Sequence, residues 1–150
     1  MDLILWRHAD AEDGTPDLRR ALTRKGEKQA EHMAAWLSER LPPEPRIIVS
    51  PALRTQQTAR ALSHDFETLA ELAPDASSAQ LLDASGWPEA GRPVIVVGHQ
   101  PALGQVAAQL LTGRPAMWTI RKGAVFWLTR RLRGETPQVL LRAVLSPEFL

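Results

Sequence analysis

The chain of 150 residues contains no cysteine, which excludes disulfides, thiolate catalysis and cysteine-ligated metals. It also lacks charge of one dominant sign. A formal net charge of +1 creates no bulk field towards nucleic acid or a membrane, so neither is an expected partner and any anion recognition must be local. No apolar run approaches the ~18 residues that suggest a membrane span. Met1 and Asp2 lead straight into a strand pattern, without the basic and long apolar regions of a signal peptide, so a cytoplasmic protein is expected. Lysine is scarce, since fifteen of the eighteen basic residues are arginine. That excess fits bidentate oxyanion binding and a plain compositional bias equally well.

What the chain does contain is an alternation of strand and helix patterns over a length suited to one domain. Leu3 to Trp6 is a short apolar run that stops on Arg7 and His8, as a strand buried on both faces would. The polar stretch 10–20, with Gly14 and Pro16, reads as a long loop. Thr23 can cap a helix whose apolar positions are Ala30, Met33, Ala34, Leu37 and Leu41, ahead of Pro42 and Pro43. Ile47 to Val49 form a second strand, followed by a helix over 52–64 with Pro51 in its first turn. A brief strand is expected over 68–72, a short helix capped by Asp75 through Leu82, and a turn region over 85–93. Pro93 to Gly98 is the strongest strand, with four successive β-branched residues, and a helix with Leu103, Val106, Ala107, Leu110 and Leu111 follows, ending before Gly113. Segments 124–129 and 139–144, around a turn with Gly134 and Pro137, read as an antiparallel hairpin. The expected fold is a three-layer α/β/α sandwich, mostly parallel, with that hairpin at the sheet edge.

In such sheets ligands sit beyond the carboxyl ends of the strands. Arg7 and His8 end one strong strand, His99 ends another, and Arg54 opens the helix after a third. Two arginine forks suit a phosphoryl group, which carries about two negative charges near neutral pH. An imidazole with one bare nitrogen is a competent covalent nucleophile, and neighbouring guanidinium charges favour that neutral form. With side chains supplying the positive charge, neither a metal nor another cofactor is needed.

Four segments in order resemble the histidine phosphatase superfamily, the phosphoglycerate mutase-like proteins, and within it the small SixA-type phosphohistidine phosphatases. They are RHA at Arg7 to Ala9, LTxxGxxQA at Leu22 to Ala30, SPxxRxxQTA at Ser50 to Ala59, and VVGHxP at Val96 to Pro101. The resemblance implies that His8 is the phosphorylated nucleophile, that Arg7, Arg54 and His99 hold the phosphoryl group, and that Arg20 adds a contact. It implies as substrate a phosphohistidine-bearing protein, such as a phosphorelay or phosphotransfer domain, or a small phosphate ester; a silent phosphate-binding module is the alternative from another class.

Two positions depart from the larger relatives. Ala9 stands where they carry glycine, which argues against a positive φ there. Their general acid lies on an inserted segment, where this chain offers only Glu71, read either as that acid or as a solvated charge; Asp10, Glu12 and Asp17 are weaker candidates. The absence of a capping insertion implies an open, shallow site. His32 and His64 read as surface and helix-end residues, Trp36, Trp118 and Trp127 as packing, and Arg130, Arg131 and Arg133 as a solvated turn. His8 with Asp10 has no second spaced pair to complete a metal site.

Overall fold

The computed structural model describes residues 1–150. Strand β1, Asp2–Arg7, lies at the heart of a six-stranded sheet, and its four central residues are fully buried because helices cover both faces. Alternation divides its side chains: Leu3 and Leu5 join one core cluster, Ile4 and Trp6 the other. Strand β2, Arg46–Val49, and the strand at Val94–Gly98, here β4, divide in the same way. Strand β3 is a two-residue extension, Glu67–Thr68, paired with Ile48 and Val49. The sheet order is β3-β2-β4-β1-β5-β6, the first four parallel and the last two, Val125–Arg133 and Thr136–Leu145, antiparallel.

Helices α1, Arg24–Ser38, and α2, Leu53–Arg60, supply Met33, Ala34, Leu37 and Ala59 to the cluster behind Ile4 and Trp6. Helices α3, Ser78–Ser85, and α4, Ala102–Thr112, supply Leu81, Leu103, Val106 and Ala107 to the opposite cluster. This is the expected sandwich with its antiparallel edge. No helix is long and apolar enough to cross a membrane.

Several boundaries differ from the sequence expectation, each for a local reason. Helix α2 starts at Leu53 because Ala52 is extended, with ψ 139, so Pro51 lies outside the helix, which also ends at Arg60 rather than His64. The strand expected over 68–72 ends at Thr68, and Ala70–Leu72 turns as a 3₁₀ helix that buries Leu72. Helix α3 is capped by Ser77, not Asp75, through a reciprocal capping box with Gln80. The hairpin is longer than expected and turns at Gly134 (φ 63) and Glu135. Pro137 sits within β6, opposite Leu132, where an outer edge strand tolerates its missing N–H. Arg130, Arg131 and Arg133 therefore belong to a strand, not a loop.

Candidate active site

Strands β1 and β4 are parallel neighbours with Arg7 opposite Gly98, so the residues after each emerge side by side. The His8 N–H donates to the Gly98 carbonyl at 3.1 Å, and the His8 and His99 ring centroids lie 5.3 Å apart. Strand β2 flanks β4 on the other side and feeds α2, whose second residue is Arg54; its Nη2 lies 3.4 Å from His99 Nδ1.

The histidine nitrogens have distinct partners. His8 Nδ1 lies 2.7 Å from the carbonyl oxygen of Ala9, an acceptor only, so Nδ1 carries the proton and Nε2 keeps its lone pair. Arg54 can only donate, so His99 Nδ1 accepts, and its Nε2–H donates to Ser50 Oγ at 2.7 Å. A donor role for His99 towards a phosphoryl oxygen thus requires the proton to move to Nδ1, with the Ser50 hydroxyl turning to donate to Nε2.

The guanidiniums are held but not saturated. Arg7 Nη1 donates to the Ile120 carbonyl at 2.9 Å, while Arg54 donates to the Asp17 carbonyl at 2.9 Å and to its carboxylate at 3.2 Å. The Nε donors of both Arg7 and Arg54 are buried and have no partner. Buried donors are nearly always paired in proteins, so two orphans on neighbouring cations mark a site suited to an anion. Arg20 bonds the same Asp17 carboxylate at 3.1 Å and the Glu12 carbonyl at 2.8 Å, which brings it to the rim of the cluster.

The loop after His8 is clamped onto α1. Thr23 N–H donates to the Asp10 carbonyl at 3.0 Å, Asp10 N–H donates to Gln29 Oε1 at 2.9 Å, and a Cβ at Gly26 would collide with the Asp10 carbonyl. The spaced Thr, Gly and Gln of LTxxGxxQA are thus a dock for the backbone that carries His8. Ala9 is fully buried, its N–H donates to Thr58 Oγ1 at 3.1 Å, and it does not have a positive φ, so alanine is unstrained here.

A family model described as "Histidine phosphatase superfamily (branch 1)" matches residues 3–77, half of the chain. The chain belongs to the histidine phosphatase superfamily. Phosphohistidine phosphatase SixA of Escherichia coli (strain K12) is 33% identical over 129 positions, covering 79% of this chain and 80% of that protein. The SixA homolog of Haemophilus influenzae is 29% identical over 126 positions, covering 73% and 77%. The structure of the protein histidine phosphatase SixA complexed with tungstate superposes with a TM-score of 0.78 at 30% identity, covering 99% of both chains. This member of the superfamily is accordingly a phosphatase of the SixA type.

Sequence reasoning gave no role to Ser50 or Thr58 in this histidine phosphatase site, and read Asp17 only as a weaker candidate acid rather than as the partner of Arg54. Thr58 is four residues after Arg54, on the same helical face, and donates to the Arg54 carbonyl at 2.7 Å while accepting from Ala9. That spacing was a usable signal. The link from Asp17 to Arg54 spans 37 residues and had none. Among the acidic candidates, hydrogen bonding from Arg20, then from Arg54, holds the Asp17 carboxyl below the usual range. Asp10 is lowered chiefly by the Thr23 hydroxyl, assisted by Lys122. Both are better anions than acids. Glu71 is exposed in the 3₁₀ turn, and its side chain makes no hydrogen bond or ion pair. No group of three or more histidine, aspartate or glutamate side chains converges to hold a metal ion.

The reacting side chains are closely packed: His8, Arg54 and His99 are only 6%, 4% and 5% exposed. Burial is the main reason His8 is lowered from 6.5 to about 4, with repulsion from Arg54, Arg7 and Arg20 adding to it against the Ala9 hydrogen bond. Burial, then repulsion from His8 and Arg54, lowers His99 from 6.5 to about 3. Desolvation is thus a larger cause than the guanidinium charges expected from sequence. Both folded values lie below the unfolded ones, so the unfolded chain binds more protons between them. Stability is therefore complete above pH 6.5 and falls as pH drops towards 4 and then 3, by on the order of 3 kcal/mol for His8 alone. Histidine NMR titration, with Tm measured against pH, checks this; a His8 midpoint above 6 contradicts it.

Proposed function

We propose that this phosphatase removes the phosphoryl group from phosphohistidine on a partner protein, through a phospho-His8 intermediate and without a metal. The observation that carries the reading is the bare Nε2 of His8 beside two guanidiniums with unpartnered buried donors. His8 Nε2 attacks phosphorus, the new P–N bond forms as the substrate's P–N bond breaks, and the departing imidazole takes a proton from solvent. Arg7, Arg54 and His99 hold the equatorial oxygens through this transfer, with Arg20 supporting from the rim. Water then attacks phospho-His8, releasing inorganic phosphate and restoring the imidazole. In this reading the substrate is a phosphorelay or phosphotransfer domain in the cytoplasm.

The leaving group favours phosphohistidine. An alkoxide needs a proton in the transition state, whereas Asp10 and Asp17 are held ionised and Glu71 has no contact with the site. The similarity to SixA proteins supports the same reading.

The test is a panel comparing a phosphohistidine protein with sugar and nucleotide phosphates, in wild type and Glu71→Gln, with and without EDTA. The phosphohistidine protein is expected to be hydrolysed fastest, unaffected by the substitution or by chelation. Faster hydrolysis of an ester, lost in Glu71→Gln, assigns a small-molecule phosphomonoesterase with Glu71 as acid; phosphate binding without turnover assigns a silent module. Loss of activity in EDTA overturns metal independence.

A further inference from the structure

A cleft of about 450 Å³ opens at Arg7 and runs between α1, the segment 119–122 and the C-terminal 3₁₀ turn Pro147–Phe149. It continues into a second hollow of about 470 Å³ along α1, with Lys25, Gln29, Pro147 and Glu148 shared between the two. All three lysines of the chain, Lys25, Lys28 and Lys122, line this groove, although arginine outnumbers lysine fifteen to three. Arg24 and Arg121 add to them.

Much of this charge is uncompensated. Lys122 pairs with Asp10 at 3.2 Å and Arg121 with Glu148 at 3.1 Å, but Arg24, Lys25 and Lys28 form no ion pair. These three also crowd the start of α1, where the helix dipole is positive and cations are unfavourable. Glu27, also in the first turn, and Glu31 lie on another face of the helix, where they line a hollow towards α2. A basic stripe set against its own helix dipole, inside a molecule of net charge +1, is a local field aimed at something outside the chain.

We propose that this groove receives an acidic segment flanking the phosphohistidine of the partner protein, and so selects the substrate by the charge of its surface. The proposal rests on the phosphohistidine reading, because the groove begins at Arg7, beside the phosphoryl site. A protein segment fits better than a nucleic acid, because Asp10 and Glu148 lie among the cations and would repel a continuous phosphate backbone. The one ring lining either hollow is the imidazole of His32, with no tryptophan or phenylalanine beside it to form a stacking platform for successive bases.

The experiment uses two synthetic phosphohistidine peptides, one with glutamates and one with lysines around the phosphohistidine, together with free phosphohistidine. The enzymes are wild type and the double variant Lys25→Glu with Lys28→Glu. Wild type is expected to favour the glutamate peptide in kcat/KM by about tenfold or more at low ionic strength, with the preference shrinking as salt rises. The double variant is expected to lose or invert the preference while hydrolysing free phosphohistidine at the wild-type rate. Both substitutions place acids where the helix dipole favours them, and an unchanged Tm confirms the fold. Equal use of the two peptides by wild type, or a preference untouched by the double variant, overturns the groove assignment. If no phosphohistidine substrate is hydrolysed, the substrate reading fails on its own. The groove is then judged by fluorescence anisotropy of the unphosphorylated peptides, where equal affinities overturn it. Displacement of the glutamate peptide by a single-stranded oligonucleotide of higher affinity assigns the groove to nucleic acid and overturns the protein assignment.

Discussion

Replacing His8 with alanine is expected to abolish turnover and to eliminate covalent phosphate on the enzyme, with any residual rate at least about 10³-fold below wild type. The reason lies in which nitrogens are bare. In His8 the Nδ1 proton is held by the Ala9 carbonyl at 2.7 Å, leaving Nε2 as the one imidazole nitrogen placed for attack. His99 cannot replace it, because its Nε2 is bonded to Ser50 at 2.7 Å and its Nδ1 faces Arg54 Nη2 at 3.4 Å. The fold should survive: the variant loses one hydrogen bond, at roughly 1 kcal/mol, and no longer buries an imidazole. Incorporation of labelled phosphate from a phosphohistidine donor, beside circular dichroism of the same sample, checks both points. A phosphorylated His8→Ala enzyme would sink the nucleophile assignment.

The second large effect is expected at Arg54. Its side chain is 5% exposed and contacts Asp17 through two nitrogens and His99 through one of these, while its buried Nε has no protein partner. Arg54→Ala should lower kcat/KM by about 10²- to 10³-fold, the usual loss when one preorganised donor to a transition-state oxyanion is removed. Arg54→Lys should recover little of it, because a single ammonium cannot reach the Asp17 carbonyl, its carboxylate and His99 while offering a further donor. Arg54→Ala should also raise the titration midpoints of His8 and His99, since Arg54 repels both protonated rings, though burial will keep them below 6.5, whereas Arg54→Lys keeps the charge and should move them less. Inhibition by inorganic phosphate gives an independent reading, because loss of the fork should weaken it in parallel. Wild-type phosphate affinity in Arg54→Ala would remove Arg54 from the phosphoryl site.

The legible parts of the fold were those written in local pattern. Leu3 to Trp6 and Val94 to Val97 are too apolar for a half-exposed strand, and both are buried on both faces between helical layers. The spacing of Ala30, Met33, Ala34 and Leu37 predicted the buried face of α1, and Thr23 caps it by accepting from the Gly26 N–H. Ends governed by competing caps were less legible. Asp75 and Ser77 are both good N-cap types, and Ser77 prevails because Gln80 stands where it can reach back. Pro137 reads as a turn residue, yet it continues an edge strand whose neighbour lies on one side only.

The same division runs through the site. The sequence alone determined which chemical groups the protein owns and which ends of its elements carry them: Arg7 and His8 after one strand, His99 after another, Arg54 at the start of a helix. Strand and helix periods are local properties, so parallel packing was enough to predict that these ends would meet. Only the tertiary structure decided the protonation and engagement of those groups. The free nitrogen of His8, the acceptor state of His99, the capture of Arg54 by Asp17 and the basic groove all depend on side chains and carbonyls at particular distances. Apart from the His8 and Ala9 contact, those partners lie far apart along the chain, and hydrogen bonds are too short-ranged and directional for residue spacing alone to reveal them.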